Sequence, residues 1–455
     1  MGRQKEPAST MASGPQISLR ELAAGKPASF APAPYWWDAA PPDAGPWPEP
    51  PERTDVLIVG AGFTGLSAAL VLARAGRRTL VVDAGVPGFG ASTRNGGQVG
   101  SGNQKFRVRD LIAMKGERKA VALLREGVAM LDGIEALIAE EKIDCGFTRC
   151  GRFRGAARPA HYDAMAQDME DLARHAGVDF EMVPRAAQSR EIGTGVFHGG
   201  SLLPMDASLH PGRYHAGLMR RVTEAGAVVR GDTAVRGVSA EADHFRVRIS
   251  GAEIRARDVL IATNGYTQGV GAHFDRRIVP VVSAQIATGP IPQALFDRAT
   301  PTRRVYGESN RVFYYFRPAP GENRLIWGGR ASHLARENSS AAYRHLARDL
   351  LRVFPYLEDV AVTHGWTGRI GYTFDEFPHL GRSPEGVHYA MGYCGTGVSR
   401  ATHFGRKIAL QMLGRPEGRS AFDDIAFPTH PLQMFAKAAV PLVELWRRGR
   451  DATGL

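Results

Sequence analysis

The chain has 455 residues, 44% of them hydrophobic and 23% charged, a length and composition suited to two or three domains with sizeable cores and unlike those of collagenous, disordered or membrane-spanning chains. The net charge of +11 is spread along the chain without a long run of like charge, and Arg far outnumbers Lys, which argues against a nucleic-acid partner and leaves a field that draws in anionic substrates. Cys145, Cys150 and Cys394 are odd in number and form no C-x-x-C pair, no apolar stretch reaches the roughly 18 residues of a membrane span, and no secretion signal opens the chain, so a reducing cytoplasm is expected.

Residues 1–34 are rich in Pro, Ala, Ser and Gly and read as a mostly irregular leader, with one helical turn over 17–22. Tyr35, Trp36 and Trp37 then interrupt a Pro-rich setting and are expected to dock on the folded body, with gating of a site as the alternative. A Pro-rich linker over 38–53 follows. Residues 56–59 form a short apolar run, the pattern of a buried parallel strand. Gly60, Ala61, Gly62, Phe63, Thr64 and Gly65 make a G-x-G-x-x-G turn, an Ala/Leu-rich helix follows over 65–75, and 79–82 is a second strand closed by Asp83 and Ala84. Strand, glycine turn, helix and a terminal acid together are the context of a dinucleotide site, with pyrophosphate at the helix N-terminus and the carboxylate on a ribose. No second motif of this quality appears, so one dinucleotide is expected.

Residues 85–102 combine seven glycines with Ser92, Thr93, Arg94, Asn95 and Gln98, a composition suited to backbone lying against a ligand. Residues 117–141 read as a long amphipathic helix, 145–157 as strand-like, and 159–176 and 211–225 as further helices. Strands are expected at 227–230, 235–238, 245–249 and 259–262, the last returning to the sheet begun at Val56. From 278 to 329 the pattern turns strand-rich, with 278–286, 311–317 and 324–327 as candidates, and a helix over 340–354 follows. The segment 365–372 leads on to a last apolar strand over 387–391, a second glycine turn over 392–397 and a helix over 398–413. The tail from Pro431, with Trp446-Arg447-Arg448, reads as a docked helix or a membrane-surface anchor.

Four segments together resemble one family: the 55–83 motif, Gly90-Ala91-Ser92-Thr93-Arg94-Asn95-Gly96-Gly97-Gln98, Ala262-Thr263-Asn264-Gly265-Tyr266, and the stretch from Tyr389 to Val398. The chain is similar to FAD-dependent amine oxidoreductases of the D-amino-acid oxidase type, and within them to the gamma-glutamylputrescine oxidase branch. The resemblance implies an α/β fold, α+β overall. A Rossmann-like FAD-binding domain would be discontinuous over 54–110, 205–275 and 360–430. A mixed or antiparallel β-sheet substrate domain would take 111–204 and 276–359, between a leader over 1–53 and a tail helix over 431–455. It implies that Gly60, Gly62 and Gly65, with Phe63 and Thr64, cradle the pyrophosphate and that Asp83 and Ala84 meet the adenosine ribose. Ser92, Arg94, Asn95, Gly97 and Gln98 would line the path to the isoalloxazine, Val235 would meet the adenine side, Thr263 the ADP part, and Gly395, Thr396, Gly397 and Val398 would cap the flavin ring. Arg94-Asn95 has no His beside it and 371–373 no Cys, so FAD is expected to be held without a covalent bond. Cys394 is read as a packed residue.

The chemistry so implied is oxidation of a C–N bond: hydride leaves a neutral amine for flavin N5, water hydrolyses the imine, and O2 reoxidises the flavin to give H2O2. A dehydrogenase passing electrons to a quinone and a flavin-binding protein without turnover are the alternatives. On a strand over 311–317, Phe313 and Tyr315 would share one face and Tyr314 and Phe316 the other, so one face could form an aromatic wall or cage for a cation. Arg311, Arg330 and Arg369 are candidates for a substrate carboxylate, His210 for a group facing the flavin and His379 for a weaker one. The expected partners are a small-molecule amine or amino acid and O2, with no nucleic acid and no transmembrane segment.

Overall fold

The computed structural model describes residues 17–27, 30–101, 105–267, 269–331, 340–431 and 433–453. The expectations for residues 1–16, for Gly102 and for the side chains of Arg447 and Arg448 lie outside what is described. Strand Arg53–Val59 sits inside an eight-stranded sheet, with Thr79–Val82 and then Val228–Arg230 parallel to it on one side and Ala252–Ile261 parallel on the other. Both faces of these strands are covered, which is why Val56 to Val59 and Leu80 to Val82 are apolar without alternation. Helix Phe63–Arg74 covers one face, and helix Gly397–Met412 lies directly on it. At Gly405 a β-carbon would stand 2.3 Å from the Thr64 carbonyl, so only glycine permits that approach. The returning strand covers ten residues, well beyond the expected 259–262. Its first half pairs antiparallel with Phe245–Ile249, where Ile254 and Ala256 face inward between exposed charges.

The second sheet has nine strands in the spatial order Ile17–Ser18, Ala361–Tyr372, Val279–Thr288, Leu325–Arg330, Tyr315–Pro318, Val305–Glu308, Arg152–Gly155, Gly200–Leu203 and Glu181–Val183. One pair, 305–308 with 152–155, is parallel and the rest are antiparallel. One face packs a core of Phe153, Tyr306, Phe316, Trp327 and Phe354 under helix Ser340–Val353, with Phe316 and Trp327 stacked at 4.4 Å.

Two expectations need correction. Residues 361–372 pair with Val279–Thr288 in this second sheet, so the boundary expected at 360 falls instead beyond Tyr372; an apolar strand carries no mark of which sheet it joins. The strand over 311–317 shrinks to Tyr315–Pro318, because the amides of Arg311 and Val312 donate to the Asp451 carboxylate and not to a ladder. The helical turn expected within the leader over 17–22 forms as helix Leu19–Ala24, which Ser18 caps through a reciprocal pair of bonds with Glu21.

Trp36 is fully buried, and its Nε1 donates to the Asn95 carbonyl at 2.8 Å, while Trp37 Nε1 donates to Thr93 Oγ1 at 2.8 Å. The aromatic triplet thus docks as expected, as a buttress of the 85–102 loop. The C-terminal helix Ala436–Thr453 is tied to the body through Asp451. Among the described residues no helix is long and apolar enough to cross a membrane.

Candidate functional site

The first glycine turn is shaped by close approach. Gly60 has φ +108°, a region that favours glycine, and a β-carbon at Gly65 would lie 1.9 Å from the Gly60 carbonyl oxygen. The Ala61 amide donates to Asp83 Oδ2 at 2.8 Å and the Gly85 amide to Oδ1 at 3.2 Å, so Asp83 fixes the turn while keeping lone pairs toward the cavity. Burial holds its carboxyl above the usual carboxylate range. The Phe63 amide, at the start of the helix, donates to Ser92 Oγ at 2.9 Å. His215, which sequence reasoning left unremarked, donates from Nε2 to the Ala61 carbonyl at 2.8 Å and is kept neutral by burial.

The second turn is held from several sides. Gly392, Cys394 and Gly395 all have positive φ, at +84°, +51° and +94°. Asn264 Oδ1 accepts from the Gly392 amide at 2.9 Å, and the Cys394 amide donates to the Gly371 carbonyl at 3.0 Å. The Cys394 thiol donates to the Gly392 carbonyl, and burial raises its pKa, as expected of a packed residue and not of a reactive thiolate. Helix Gly397–Met412 begins here and aims its first N–H groups at the cavity.

One cavity of about 850 Å³ joins both turns to the nine-stranded sheet. Of the residues expected at the cofactor, Gly60, Gly62, Phe63, Thr64, Asp83 and Ala84 line one stretch of its wall. Ser92, Arg94, Asn95 and Gln98 line the next, and Val235 and Thr263 stand with Gly395, Thr396, Gly397 and Val398 on the remainder. Gly65 and Gly97 stand behind the wall: the former lets the helix touch the strand, and the latter passes within 2.3 Å (β-carbon position) of the Leu209 carbonyl.

Of the substrate-side candidates, Phe313, Tyr315, Arg330 and Arg369 face the same cavity, while Tyr314 and Phe316 are buried on the opposite side. Arg330 donates to the Tyr372 hydroxyl at 2.7 Å, and Lys105 donates to the same oxygen at 3.2 Å, so a phenol stands between two cations. Arg369 lies over Tyr266. Three candidates leave the list. Arg311 is on the surface and pairs with Asp451. His210 is a helix cap: its Nδ1 accepts from the Arg213 amide at 3.1 Å and its ring meets Trp36 edge-on, away from the cavity. His379 is buried against Asp375 and Phe427, because its strand turns that side chain into the core between the sheet and the segment that carries Phe427.

Sequence reasoning missed Lys105, Tyr372, Gln285, Arg154 and Asp168, all on the wall. Arg152 and Arg154 did carry a signal, two cations alternating with Phe153 and Gly155 on a strand, which places both on one face. Among the described residues no group of His, Cys, Asp or Glu is arranged to hold a metal.

The geometry fits an elongated dinucleotide: the cradle at Gly60 and Gly62 that β-carbons would fill, the carboxylate of Asp83, and the helix N-terminus at Gly397 all open into one space. A model of the FAD dependent oxidoreductase (DAO) family matches residues 55–411. The chain is 30% identical to the probable oxidoreductase OrdL of Haemophilus influenzae, over 83% of this chain and 87% of that one. It is 29% identical to the gamma-glutamylputrescine oxidoreductase of Escherichia coli, over 86% and 90%. The crystal structure of glycine oxidase from Geobacillus kaustophilus superposes with a TM-score of 0.70 at 21% identity, covering 84% of this chain and 99% of that one. The mixed α/β fold, the cavity between its two sheets and the family match agree: this chain belongs to the DAO family of FAD-dependent oxidoreductases, and its cofactor is FAD.

Proposed function

We propose that the protein oxidises a C–N bond in a primary or secondary amine or amino acid of the gamma-glutamylputrescine kind, with O2 as the final acceptor. The continuity of the cavity carries this reading, since the walls built by the two glycine turns and by Tyr315, Arg330 and Tyr372 enclose one space. FAD, when bound, supplies the acceptor for the hydride that leaves the carbon next to nitrogen, and O2 takes the electrons on as H2O2. The chain's own part is placement and electrostatics. Lys105 and Arg330, flanking Tyr372, disfavour an ammonium beside them, which keeps the amine neutral with its lone pair available. Burial keeps the Tyr315 phenol protonated, a polar and uncharged wall. The N-terminal amides of helix Gly397–Met412 offer donors to negative charge developing nearby. No dedicated base is required if the amine arrives neutral. FAD is held non-covalently in this reading, consistent with the protonated thiol of Cys394, and the three free thiols suit a reducing cytoplasm.

The test is anaerobic mixing of the holoprotein with polyamines, gamma-glutamylated amines, D-amino acids and N-methyl amino acids while flavin absorbance is followed. Bleaching by a member of the panel is expected; a flavin that no amine reduces would leave a flavin-binding protein without turnover. A second reading, transfer to a membrane quinone, draws support from the exposed Leu442, Leu445 and Trp446 of the C-terminal helix. Stoichiometric H2O2 under air, with little reduction of quinone analogues, would exclude it.

A further inference from the structure

The nine-stranded sheet carries one cross-strand row that explains the length of the cavity. Gln285 pairs with Gly328, Gly328 with Tyr315, Tyr315 with Gly307, Gly307 with Arg154, and Arg154 with Ser201. Residues directly opposite one another project to the same face, so Gln285, Tyr315, Arg154 and Ser201 look into one space. Gly307 leaves a gap between Tyr315 and Arg154: a β-carbon there would meet nothing nearer than 3.9 Å. Arg154 therefore stands two strand spacings beyond Tyr315, about 10 Å, and its strand is three spacings, about 14 Å, from that of Arg330.

This far end is charged and unsatisfied. The neighbouring Arg152 is neutralised by Asp206 at 2.6 Å. Among the described residues Arg154, half-buried on the cavity wall, makes one hydrogen bond, a 3.3 Å contact to the Glu308 carbonyl. No carboxylate lies within 4 Å of it among the described residues. The Glu308 carboxyl is no substitute, since Glu308 pairs with Gly155 and so belongs to the opposite face of the sheet. Asp168 comes from helix Pro159–Ala176 across the cavity. One of its oxygens accepts from the Val108 amide at 2.8 Å, and the other is unused among the described residues. Ser201 keeps a hydroxyl without a partner there. Met165, Met169 and Leu172, on the same face of that helix, supply an apolar wall.

We propose that Arg154, Ser201 and Asp168 form a distal subsite for the far end of the substrate. Arg154 and Ser201 receive a carboxylate and Asp168 an adjacent ammonium, several bonds from the amine that is oxidised. The inference rests on the amine-oxidising reading above and deepens it: the substrate is an extended ω-amine ending in an α-amino acid, not a two-carbon amino acid. The apolar wall beside the Gly307 gap takes its methylenes. The opposite charges of Arg154 and Asp168 match a zwitterion, and burial strengthens each contact.

The test uses the holoprotein and two kinds of probe. Calorimetry under nitrogen measures binding of γ-glutamylbutylamide, which has the distal end without the oxidisable amine, against N-acetylbutylamine, which has neither. Anaerobic flavin bleaching compares γ-glutamylputrescine with N-acetylputrescine. The wild type is expected to favour the glutamylated member of each pair by 10-fold or more on the order expected of a charge-assisted contact. Arg154→Gln should reduce that preference by about 10- to 100-fold, with partial recovery in Arg154→Lys. Gly307→Val should weaken the long ligands by narrowing the gap, and it keeps the test decisive if Arg154→Gln fails to fold. Equal binding of the two probes by the wild type, or a preference indifferent to both Arg154 and Gly307, would overturn the subsite. Arg154-dependent binding with no amine able to bleach the flavin would uphold the subsite and sink the amine-oxidation reading instead.

Discussion

The hydroxyls of Thr64 and Tyr393 lie 2.7 Å apart although 329 residues separate them in sequence. Thr64 belongs to the first glycine turn and Tyr393 to the second, and the Tyr393 hydroxyl donates in turn to the Ala390 carbonyl at 3.0 Å. This buried chain of bonds fixes the spacing of the two glycine turns that line the cavity.

Tyr393→Phe removes the shared hydroxyl and leaves buried polar atoms at Thr64 and Ala390 short of a partner. The expected cost is about 1–3 kcal/mol of stability. It should appear as a lower melting temperature of the holoprotein and a faster loss of FAD on dilution, followed by flavin fluorescence.

Asp83 acts twice, as the acceptor of the Ala61 and Gly85 amides and, in the proposed reading, of a ribose hydroxyl. Asp83→Ala is expected to weaken FAD binding by roughly 10- to 100-fold. Flavin content after dialysis, read by its visible absorbance, checks it; an unchanged content would remove the ribose role.

Glu308 is buried, and desolvation raises its carboxyl from 4.5 to about 7. Between those values the folded state binds more protons than the unfolded one, so this group's effect is to lower stability as pH rises from 4.5 through about 7. Glu308→Gln keeps an acceptor for Asn310 without the charge. Its stability relative to wild type should improve by roughly 2–3 kcal/mol on going from acid to mildly alkaline pH, measured by denaturant titration across that range.

His210 is buried and neutral, its pKa lowered from 6.5 to about 4 chiefly by desolvation. The unfolded state takes up the proton first as pH falls, so this group's contribution to stability is lost between 6.5 and 4. Asn also caps helices, so His210→Asn should keep the helix start and flatten this acid limb by up to about 3 kcal/mol. A large fall in the rate of flavin reduction, with stability and FAD content intact, would contradict the purely structural role.

The two glycine turns, Asp83 and the helices that follow were legible in the chain because local geometry demands them: a turn that must admit a pyrophosphate needs glycine at fixed spacing, and that need is written within thirty residues. The alternation of Phe313 to Phe316 likewise gave the right faces, although the strand itself began only at Tyr315. The row from Gln285 through Tyr315 and Gly307 to Arg154 had no such signature, because its deciding step sets Gly307 beside Arg154, 153 positions away, and register between such distant strands is not written locally. The same holds for Lys105 and Tyr372, and for the removal of His210 and Arg311 from the wall. A side chain's type states what chemistry it offers, but which cavity it enters is decided by the packing of elements distant in sequence.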